Sequence, residues 1–192
     1  MRIITGKAKG IRLKTLEGDN TRPTSERVKE AVFSMLQFDI EGRSILDLYS
    51  GSGQMALEAL SRGATSAVLV DKAKDAVAII KDNVKKTGFE ADCIVYQSDC
   101  TEAIKRLSGK CFDIVFIDPP YAAKLYRSTL IALIEYKLLK PTTLIVCESG
   151  ESGIFDGDTE LEAKFAVIKK SKYSKTDITI FRLNTEEDRD CE

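Results

Sequence analysis

Four stretches of the sequence place acids, glycines or prolines directly after short apolar segments. They are DLYSGSG at residues 47–53, Asp71 at the end of SAVLVD, Asp99 in QSDC, and DPPY at residues 118–121. Glycines let a backbone approach a ligand closely, and carboxylates accept hydrogen bonds from hydroxyl and amino groups. These residue types therefore predict a site for a ligand that carries such groups.

The glycine stretch is compatible with two cofactors. GSGQMA, residues 51–56, fits the G-x-G-x-x-G/A pattern of dinucleotide-binding loops, and Asp71 follows Gly53 by 18 residues, which suits a ribose-binding acid. Asp47 argues against NAD, because a carboxylate beside a pyrophosphate is unfavourable, whereas it suits a ligand with an ammonium and a sulfonium group. That ligand is S-adenosylmethionine. A cap on the turn is the alternative role of Asp47.

Strands and helices alternate along most of the chain, which predicts how these residues are positioned. SILDLY, SAVLVD, DCIVYQSD and FDIVFID are each followed by a helical segment, the last of which extends through AAKLYRSTLIALIEYKLL, and TTLIVCES is a fifth strand. The pattern predicts an α/β fold with a Rossmann-like, doubly wound, mainly parallel sheet, and KFAVIKKSKYSKTDITIFRL predicts a C-terminal antiparallel hairpin. Because ligands bind at the carboxyl ends of such strands, the four stretches should meet there. GESGIFDGDTELEA is a loop or a weak helix.

The first residues form a basic segment of their own. MRIITGKAKGIRLKTL predicts a short β-hairpin within residues 1–20, ahead of a domain over residues 21–184 and a charged tail over residues 185–192. The hairpin is either a solvated edge or an arm that contacts phosphates. Since the glycine stretch begins far downstream, removal of residues 1–16 should leave cofactor binding intact. Its five basic residues, which precede the first acid, are Arg2, Lys7, Lys9, Arg12 and Lys14.

Composition excludes several kinds of site. The chain has 192 residues, a formal net charge of −1, five cysteines without a C-x-x-C pair, and no histidine. A zinc site and a histidine-based triad are therefore not expected, and the cysteines suit reduced thiols in a cytosol. No apolar stretch approaches the ~20 residues of a membrane span, so we expect a cytoplasmic protein without membrane or metal partners. A chain of this net charge needs a local basic patch to hold a polyanion.

Taken together, the motifs resemble a known enzyme family. DLYSGSG, the acid after the second strand, SDC and DPPY, in that order, resemble class I S-adenosylmethionine-dependent methyltransferases that act on amino groups. MRIITGKAKGIRLKT, TRPTSERVKEAVFSML, LEALSRGA and YSKTDITIFRL resemble more narrowly the bacterial 16S ribosomal RNA guanine-N2 methyltransferase family, often called RsmD-like, from Met1 to about Leu183. The chain departs from that family at Asp71, where glutamate is more frequent, at Ser50, where alanine is more frequent, and in SDC, where GDA is more usual.

The resemblance implies methyl transfer from S-adenosylmethionine to the exocyclic N2 amine of a guanine in 16S ribosomal RNA, within the small subunit or an assembly intermediate. The residues that would bind the cofactor are Asp47, Tyr49, Gly51, Ser52, Gly53, Asp71, Lys72, Asp99 and Cys100. The catalytic residues would be Asp118, Pro119, Pro120 and Tyr121. The residues that would bind RNA are Arg2, Lys7, Lys9, Arg12, Arg22 and Thr24.

The DPPY motif has a physical rationale in such a reaction. An exocyclic amine of a base is a poor nucleophile because its lone pair is delocalised into the ring. The Asp118 carboxylate and the Pro119 carbonyl can accept its two N–H groups, and the paired prolines keep that carbonyl out of sheet hydrogen bonding. Tyr121 would stack on the base. A proline turn that closes a core strand, with Asp118 as its cap, is the structural alternative.

Other functions fit parts of the same pattern. One is an adenine-N6 or other amino methyltransferase that acts on nucleic acid, although 192 residues leave little room for the target-recognition region of a DNA enzyme. The others are an NAD-dependent oxidoreductase and a non-catalytic RNA-binding module. Binding measurements with S-adenosylmethionine and NAD would separate the methyltransferases from the oxidoreductase and from the RNA-binding module.

Overall fold

The structure is a computed structural model that describes most of the chain. The described residues are 1–15, 26–119, 123–149, 154–155, 157–173 and 176–184. Arg22, Thr24, Pro120 and Tyr121 therefore lie outside them, as does the predicted tail. Within these ranges, no helix is long and apolar enough to cross a membrane. The chain divides into two compact units, Met1–Cys100 and Thr101–Glu192.

The first unit contains a parallel sheet of three strands in the order β3-β2-β1. Its alternation of strand and helix is the one that the apolar segments predict. Strands β1 and β2 are buried along most of their length, as expected where helices cover a parallel sheet. Its elements are α1 (Glu26–Met35), β1 (Ser44–Leu48), α2 (Gln54–Ser61), β2 (Ser66–Asp71), α3 (Lys74–Thr87) and β3 (Cys93–Gln97).

Helix α3 shows why the helix boundaries follow from the sequence. Its apolar residues recur at helical spacing, and Ala76, Val77, Ile80 and Val84 are buried. Gly88 ends the helix with a φ of 77°, a left-handed conformation that glycine adopts without steric cost. The glycine that follows the last periodic residues is therefore the point at which the helix ends.

The second unit contains parallel and antiparallel strands in the order β4-β5-β7-β6. Strands β4 and β5 are parallel, and β7 runs antiparallel to both β5 and β6. The predicted fold class, a mainly parallel Rossmann-like sheet that ends in an antiparallel hairpin, is confirmed. Its elements are α4 (Cys100–Arg106), β4 (Phe112–Ile117), α5 (Ala123–Glu135), β5 (Leu139–Ser149), α6 (Thr159–Glu162), β6 (Phe165–Tyr173) and β7 (Thr176–Leu183).

The boundary between α5 and β5 differs from the prediction. Leu139 was predicted to belong to the helix, yet α5 ends at Glu135, Lys137 has a φ of 58°, and Leu139 already pairs with Phe112. A bulge follows, because Ile114 next pairs with Leu144. The Thr143 hydroxyl holds this bulge by donating to the Phe112 carbonyl at 2.6 Å and accepting from the Lys140 N–H at 2.8 Å.

The stretch that the sequence left unassigned contains a short helix. Asp158 caps α6 by accepting a hydrogen bond from the Leu161 N–H at 3.0 Å. Before it, Phe155 packs against Phe165 and Phe181, with ring centroids 5.9 and 5.7 Å away. This aromatic cluster anchors the beginning of β6 to the interior of the second unit.

Candidate active site

The loop between β1 and α2 is tied to the neighbouring strand by Ser50. The Ser50 hydroxyl donates to the Asp47 carbonyl at 2.6 Å and accepts from the Val70 N–H at 3.1 Å. The Ser50 N–H donates to the Val70 carbonyl at 2.9 Å. The serine that stands where the resembling family more often has alanine therefore gives this loop one extra hydrogen bond to β2 and one to β1.

The two glycines of the loop have different roles. A Cβ on Gly53 would lie 2.9 Å from Leu69 Cδ2 and 3.5 Å from Ile80 Cγ2, so packing of the loop on β2 and α3 requires glycine there. A Cβ on Gly51 would have no described atom within 4 Å, and its φ of 56° is left-handed. Gly51 thus presents open backbone on which a ligand could lie.

Asp71, at the end of β2, organises the same loop. One carboxylate oxygen accepts from the Gly51 N–H at 2.9 Å, and the other accepts from the Ala73 N–H at 2.9 Å. The sequence predicted instead that this carboxylate would accept two ribose hydroxyls. A carboxylate oxygen can accept more than one hydrogen bond, so both roles are compatible, and the ribose role stays a prediction. Lys72 follows as an exposed residue.

Asp47 is almost fully buried, with 3% of its surface exposed. Its carboxylate accepts from the Ala56 N–H at 3.2 Å and so caps the first turn of α2. The pKa of this carboxyl is raised to about 7, chiefly by burial; the Ala56 hydrogen bond lowers this pKa, and the charge of nearby Asp71 raises it. The predicted cap therefore exists, and the poorly solvated charge is one that a nearby cation would stabilise.

The third strand brings Asp99 and Cys100 to the same edge of the first unit. Asp99 is exposed, and Cys100 is buried. Burial raises the pKa of the Cys100 thiol to about 12, although hydrogen bonds with the backbone and side chain of Tyr49 lower it. Cys100 therefore joins the end of β3 to the glycine loop as a protonated thiol. All nine predicted cofactor residues lie at or just beyond the carboxyl ends of β1, β2 and β3.

The DPPY motif begins directly after β4 in the second unit. Asp118 is exposed and Pro119 is buried. Strand β5 lies beside them, because Ile117 pairs with Cys147, whose thiol pKa is raised well above its ordinary value by burial and by the charge of Asp118. The Tyr126 hydroxyl donates to the Glu148 carbonyl and so ties α5 to the end of β5. The predicted acceptor carboxylate thus stands at the carboxyl end of its strand and reaches solvent.

No group of three or more histidine, cysteine or acidic side chains in the described ranges is arranged to hold a metal ion.

Comparison with known proteins decides the family. The family model described as "Conserved hypothetical protein 95" matches residues 1–182. The chain belongs to the Cons_hypoth95 family. YlbH of Bacillus subtilis is 34% identical to it over 189 residues, which cover 95% of this chain and 98% of that protein. The ribosomal RNA small subunit methyltransferase D of Haemophilus influenzae is 34% identical over 151 residues, 78% of each chain.

A solved structure shows the same fold. The structure of yhhF from Escherichia coli superposes on this Cons_hypoth95 chain with a TM-score of 0.82 and 26% identity, over 97% of this chain and 99% of the other. The predicted resemblance to RsmD-like proteins is therefore confirmed.

The basic N-terminal segment, residues 1–15 of this Cons_hypoth95 chain, is a hairpin reduced to one antiparallel bridge between Arg2 and Arg12. Ile3, Ala8 and Leu13 are buried. The five basic side chains of the segment are exposed. The apolar side chains of the segment therefore pack on the core of the first unit, while its basic side chains face solvent.

Sequence reasoning missed what holds this segment, which is Glu58 on α2. Both carboxylate oxygens of Glu58 accept backbone N–H groups, from Ile4 at 2.7 Å and from Thr5 at 3.0 Å. Lys29 and Arg62 lie 3.3 and 2.9 Å from the same carboxylate. Glu58 and Lys29 are fully buried, and burial lowers the pKa of Lys29 against the opposing effect of Glu58.

Ser61, one turn further along α2, completes the attachment. Its hydroxyl donates to the Thr5 carbonyl and accepts from the Ala8 N–H at 2.9 Å. A Cβ on Gly6 would lie only 1.7 Å from the Ser61 carbonyl oxygen, so the close approach requires glycine. The motif LEALSRGA, which carried part of the family resemblance, is thus the docking surface for the first residues of the chain.

Asn83 on α3 links the N-terminal segment to the glycine loop. Its amide nitrogen donates to the Ser52 carbonyl and to the Lys14 carbonyl, both at 2.9 Å, and its oxygen accepts from the Lys14 N–H at 2.8 Å. Removal of residues 1–16 would therefore strip partners from Asn83 and Glu58. The expectation that such a truncation leaves cofactor binding intact therefore does not follow from the structure.

Gln54, the first residue of α2, is another residue that the sequence did not single out. It is 7% exposed, and its amide oxygen is buried without a hydrogen-bond partner among the described residues. A buried polar atom of this kind next to the glycine loop fits a site that receives a ligand with donor groups.

We expect Asp47→Asn to change how stability depends on pH. The folded-state pKa of about 7 lies above the ordinary 3.8, so the folded protein holds more protons between these values and loses stability as pH rises through that window. Asparagine can still accept from the Ala56 N–H but does not titrate. The variant should therefore gain stability relative to the wild type between pH 5 and 7, by up to about 2 kcal/mol. Urea unfolding at several pH values measures the difference. Exposed Asp92→Asn is the control, and a difference that does not vary with pH would contradict the assignment.

Proposed function

We propose that this chain transfers a methyl group from S-adenosylmethionine to the exocyclic N2 amine of a guanine in 16S ribosomal RNA, within the small subunit or an assembly intermediate. The chain is an RNA methyltransferase, as its relatives are, and S-adenosylmethionine is its cofactor. The observation that carries methylation of an amine is the exposed Asp118 carboxylate directly before Pro119, at the carboxyl end of β4. Similarity to the ribosomal RNA small subunit methyltransferase D of Haemophilus influenzae over 78% of this chain supports the small-subunit substrate. Ribosomal subunits are assembled in the cytoplasm, which is the location that this substrate implies.

The residues at the carboxyl ends of β1 to β3 fit the cofactor. Asp71 retains acceptor capacity for ribose hydroxyls after its two backbone hydrogen bonds, and Gly51 presents open backbone. The buried Asp47 carboxylate suits a ligand with positive charge, which would offset its poor solvation. When bound, the cofactor supplies an electrophilic methyl group on a sulfonium. This donor set does not suit NAD, whose pyrophosphate would lie near the Asp47 charge.

Asp118 and Pro119 would prepare the amine for attack. The Asp118 carboxylate and the Pro119 carbonyl accept its two N–H groups, which localises the nitrogen lone pair toward the methyl group. Positive charge grows on the nitrogen as the bond forms, and the carboxylate stabilises that charge where it appears. Asp118 then takes the proton, directly or through a water molecule. Tyr121 would stack on the base, a contact worth about 1–3 kcal/mol in single-strand binding.

The N-terminal segment supports an RNA substrate. Its five basic side chains are exposed, and no acid lies among residues 1–15. The ion pairs of Arg2 with Glu26 at 3.5 Å and of Lys14 with Asp82 at 2.6 Å are both solvent-exposed and can be exchanged for phosphate contacts. Arg2, Lys7, Lys9 and Arg12 remain proposed RNA-binding residues, together with Arg22 and Thr24.

Mapping of the methylated nucleoside tests the proposal. Small subunits, free 16S RNA and large-subunit RNA from a strain that lacks the gene for this chain would be incubated with the protein and isotopically labelled S-adenosylmethionine. Mass spectrometry of nuclease fragments should find one labelled N2-methylguanosine, in 16S RNA only. Label on adenine N6 would favour the broader amino methyltransferase. Absence of label, together with NAD binding in calorimetry, would overturn the assignment in favour of an oxidoreductase.

A further inference from the structure

Strand β6 is a second cationic segment of this chain. The whole sequence has 29 basic and 30 acidic residues, yet residues 164–173, KFAVIKKSKY, contain four lysines and no acid. All four lysines are exposed. The rest of the chain therefore carries a net negative charge, and the net charge of −1 does not show that this segment is cationic. The four residues are Lys164, Lys169, Lys170 and Lys172.

Strand β6 also projects both of its faces into solvent. Val167 and Ile168 are 53% and 51% exposed, and the two residues after them are exposed as well. Its partner β7 is buried from Ile178 to Phe181. A register shift between Val167 and Lys169 bulges β6 at this point. In the described part of the second unit β6 pairs with β7 alone, so its outer edge and both faces can reach a partner.

The register places these lysines level with the carboxyl end of β4, which lies directly before Asp118. Ile117 pairs with Cys147, Cys147 with Thr179, and Thr179 with Lys170, so one line across the sheet joins Ile117 to Lys170. Three strand spacings of ~4.8 Å put the two backbones ~14 Å apart. Lys172 lies two residues further toward the carboxyl edge, opposite Asp177, which itself pairs with Ser149 at the end of β5.

We propose that Lys169, Lys170 and Lys172 bind the phosphates of the RNA strand that flanks the target nucleotide, while its base reaches Asp118. The inference rests on the proposed function and names a further part of its RNA interface. A separation of ~14 Å is about four steps of a nucleic-acid strand at ~3.4 Å each, so one strand can contact both places. Asp177 lies opposite Lys172 in the register, whereas Ile180 and Thr179 lie opposite Lys169 and Lys170, so these two lysines should carry most of the effect. Phosphate contacts of this kind set register and affinity without reading sequence.

A pair of matched triple variants tests the inference. The first replaces Lys169, Lys170 and Lys172 with glutamine. The control replaces Lys105, Lys110 and Lys137 with glutamine; these residues are also exposed, belong to the same unit, and lie beside the amino ends of β4 and β5. Both triples lower the net charge by the same amount. Binding to 16S RNA would be measured across a series of salt concentrations, together with the KM for RNA and the affinity for S-adenosylmethionine without RNA.

The β6 triple should weaken RNA binding about tenfold or more near 0.15 M salt and reduce the salt slope by roughly 2, as expected for the loss of about three phosphate contacts. Its KM for RNA should rise correspondingly, while its affinity for S-adenosylmethionine should match that of the control triple. The control should bind RNA within about twofold of the wild type. If the triple variant does not fold, the single variants Lys170→Gln and Lys170→Glu replace it in the same measurements. Lys170→Glu should then lose more RNA affinity than Lys170→Gln.

Equal RNA affinity of the two triples would overturn the inference and leave the proposed function intact. Self-association of the β6 triple with unchanged RNA affinity would also overturn it, because the lysines would then serve to protect an exposed strand edge from pairing. If the wild type neither binds nor methylates ribosomal RNA, both the proposed function and this inference fail.

Discussion

Asp118→Ala should lower methyl transfer by about 10²–10³-fold, the loss typical when a group that stabilises transition-state charge is removed. The carboxylate is the charged one of the two acceptors proposed for the amine, and it lies exposed at the carboxyl end of β4. The cofactor residues end β1 to β3 instead, so affinity for S-adenosylmethionine should not change. Single-turnover transfer to 16S RNA and calorimetry with the cofactor measure the two quantities separately.

Two further variants show which property of Asp118 matters. Asp118→Asn keeps an acceptor oxygen but loses the charge, so its rate should fall between those of the wild type and the alanine variant. Asp113→Ala, on the same strand, removes a carboxylate paired with Lys140 at 2.8 Å and should leave turnover near normal. Near-normal turnover of Asp118→Ala would exclude the proposed role in amine activation and favour a turn cap.

Glu58→Ala should lower the free energy of unfolding by about 3–5 kcal/mol, the usual cost of leaving a buried charge without its partner. Lys29 is fully buried beside it, and the Ile4 and Thr5 N–H groups would lose their acceptors. Urea unfolding followed by circular dichroism measures the loss. Glu30→Ala on the exposed face of α1 is the control, which should stay within ~0.5 kcal/mol of the wild type.

A double variant separates the buried charge from the lost packing. Lys29→Met combined with Glu58→Leu removes both charges and keeps apolar volume, so it should recover part of the stability that Glu58→Ala loses. Equal losses for Glu58→Ala and Glu30→Ala would show that the buried ion pair does not hold the N-terminal segment.

The parts of the fold that follow from the sequence are those in which local pattern and tertiary environment agree. SAVLVD is β2 residue for residue, because its four central residues are a short apolar run rich in valine, which is typical of a parallel strand that helices cover on both faces. The end of α5 could not be predicted in this way. Leu138 and Leu139 continue an apolar pattern, no glycine marks the stop, and the strand begins there only because the Thr143 bulge pairs Leu139 with Phe112.

Some residues of the candidate site could be predicted from local sequence pattern, and others could not. Strand-end acids and glycines predicted Asp47, Asp71 and Asp99, because a parallel sheet brings the carboxyl ends of β1, β2 and β3 to one edge, and the same rule predicted Asp118 at the carboxyl end of β4. Glu58 and Asn83 were missed because both stand on helices, where a polar residue usually faces solvent. Their burial depends on contacts with residues 1–15, and no local pattern records a partner 53 to 69 residues away.

Those same separations bear on how the protein is made. Ribosomes add roughly 5–20 residues per second, so residues 1–15 wait about 3–14 seconds before Glu58, Ser61 and Asn83 have been synthesised. During that interval the segment carries five cations and no acid, and the helices on which it docks do not yet exist. A cationic segment without its docking surface is attracted to any polyanion nearby, and the ribosome that makes it is built largely of RNA. Once α2 and α3 have folded, the backbone of the segment is hydrogen-bonded to Glu58 and Asn83, and only the cationic face of the segment remains exposed.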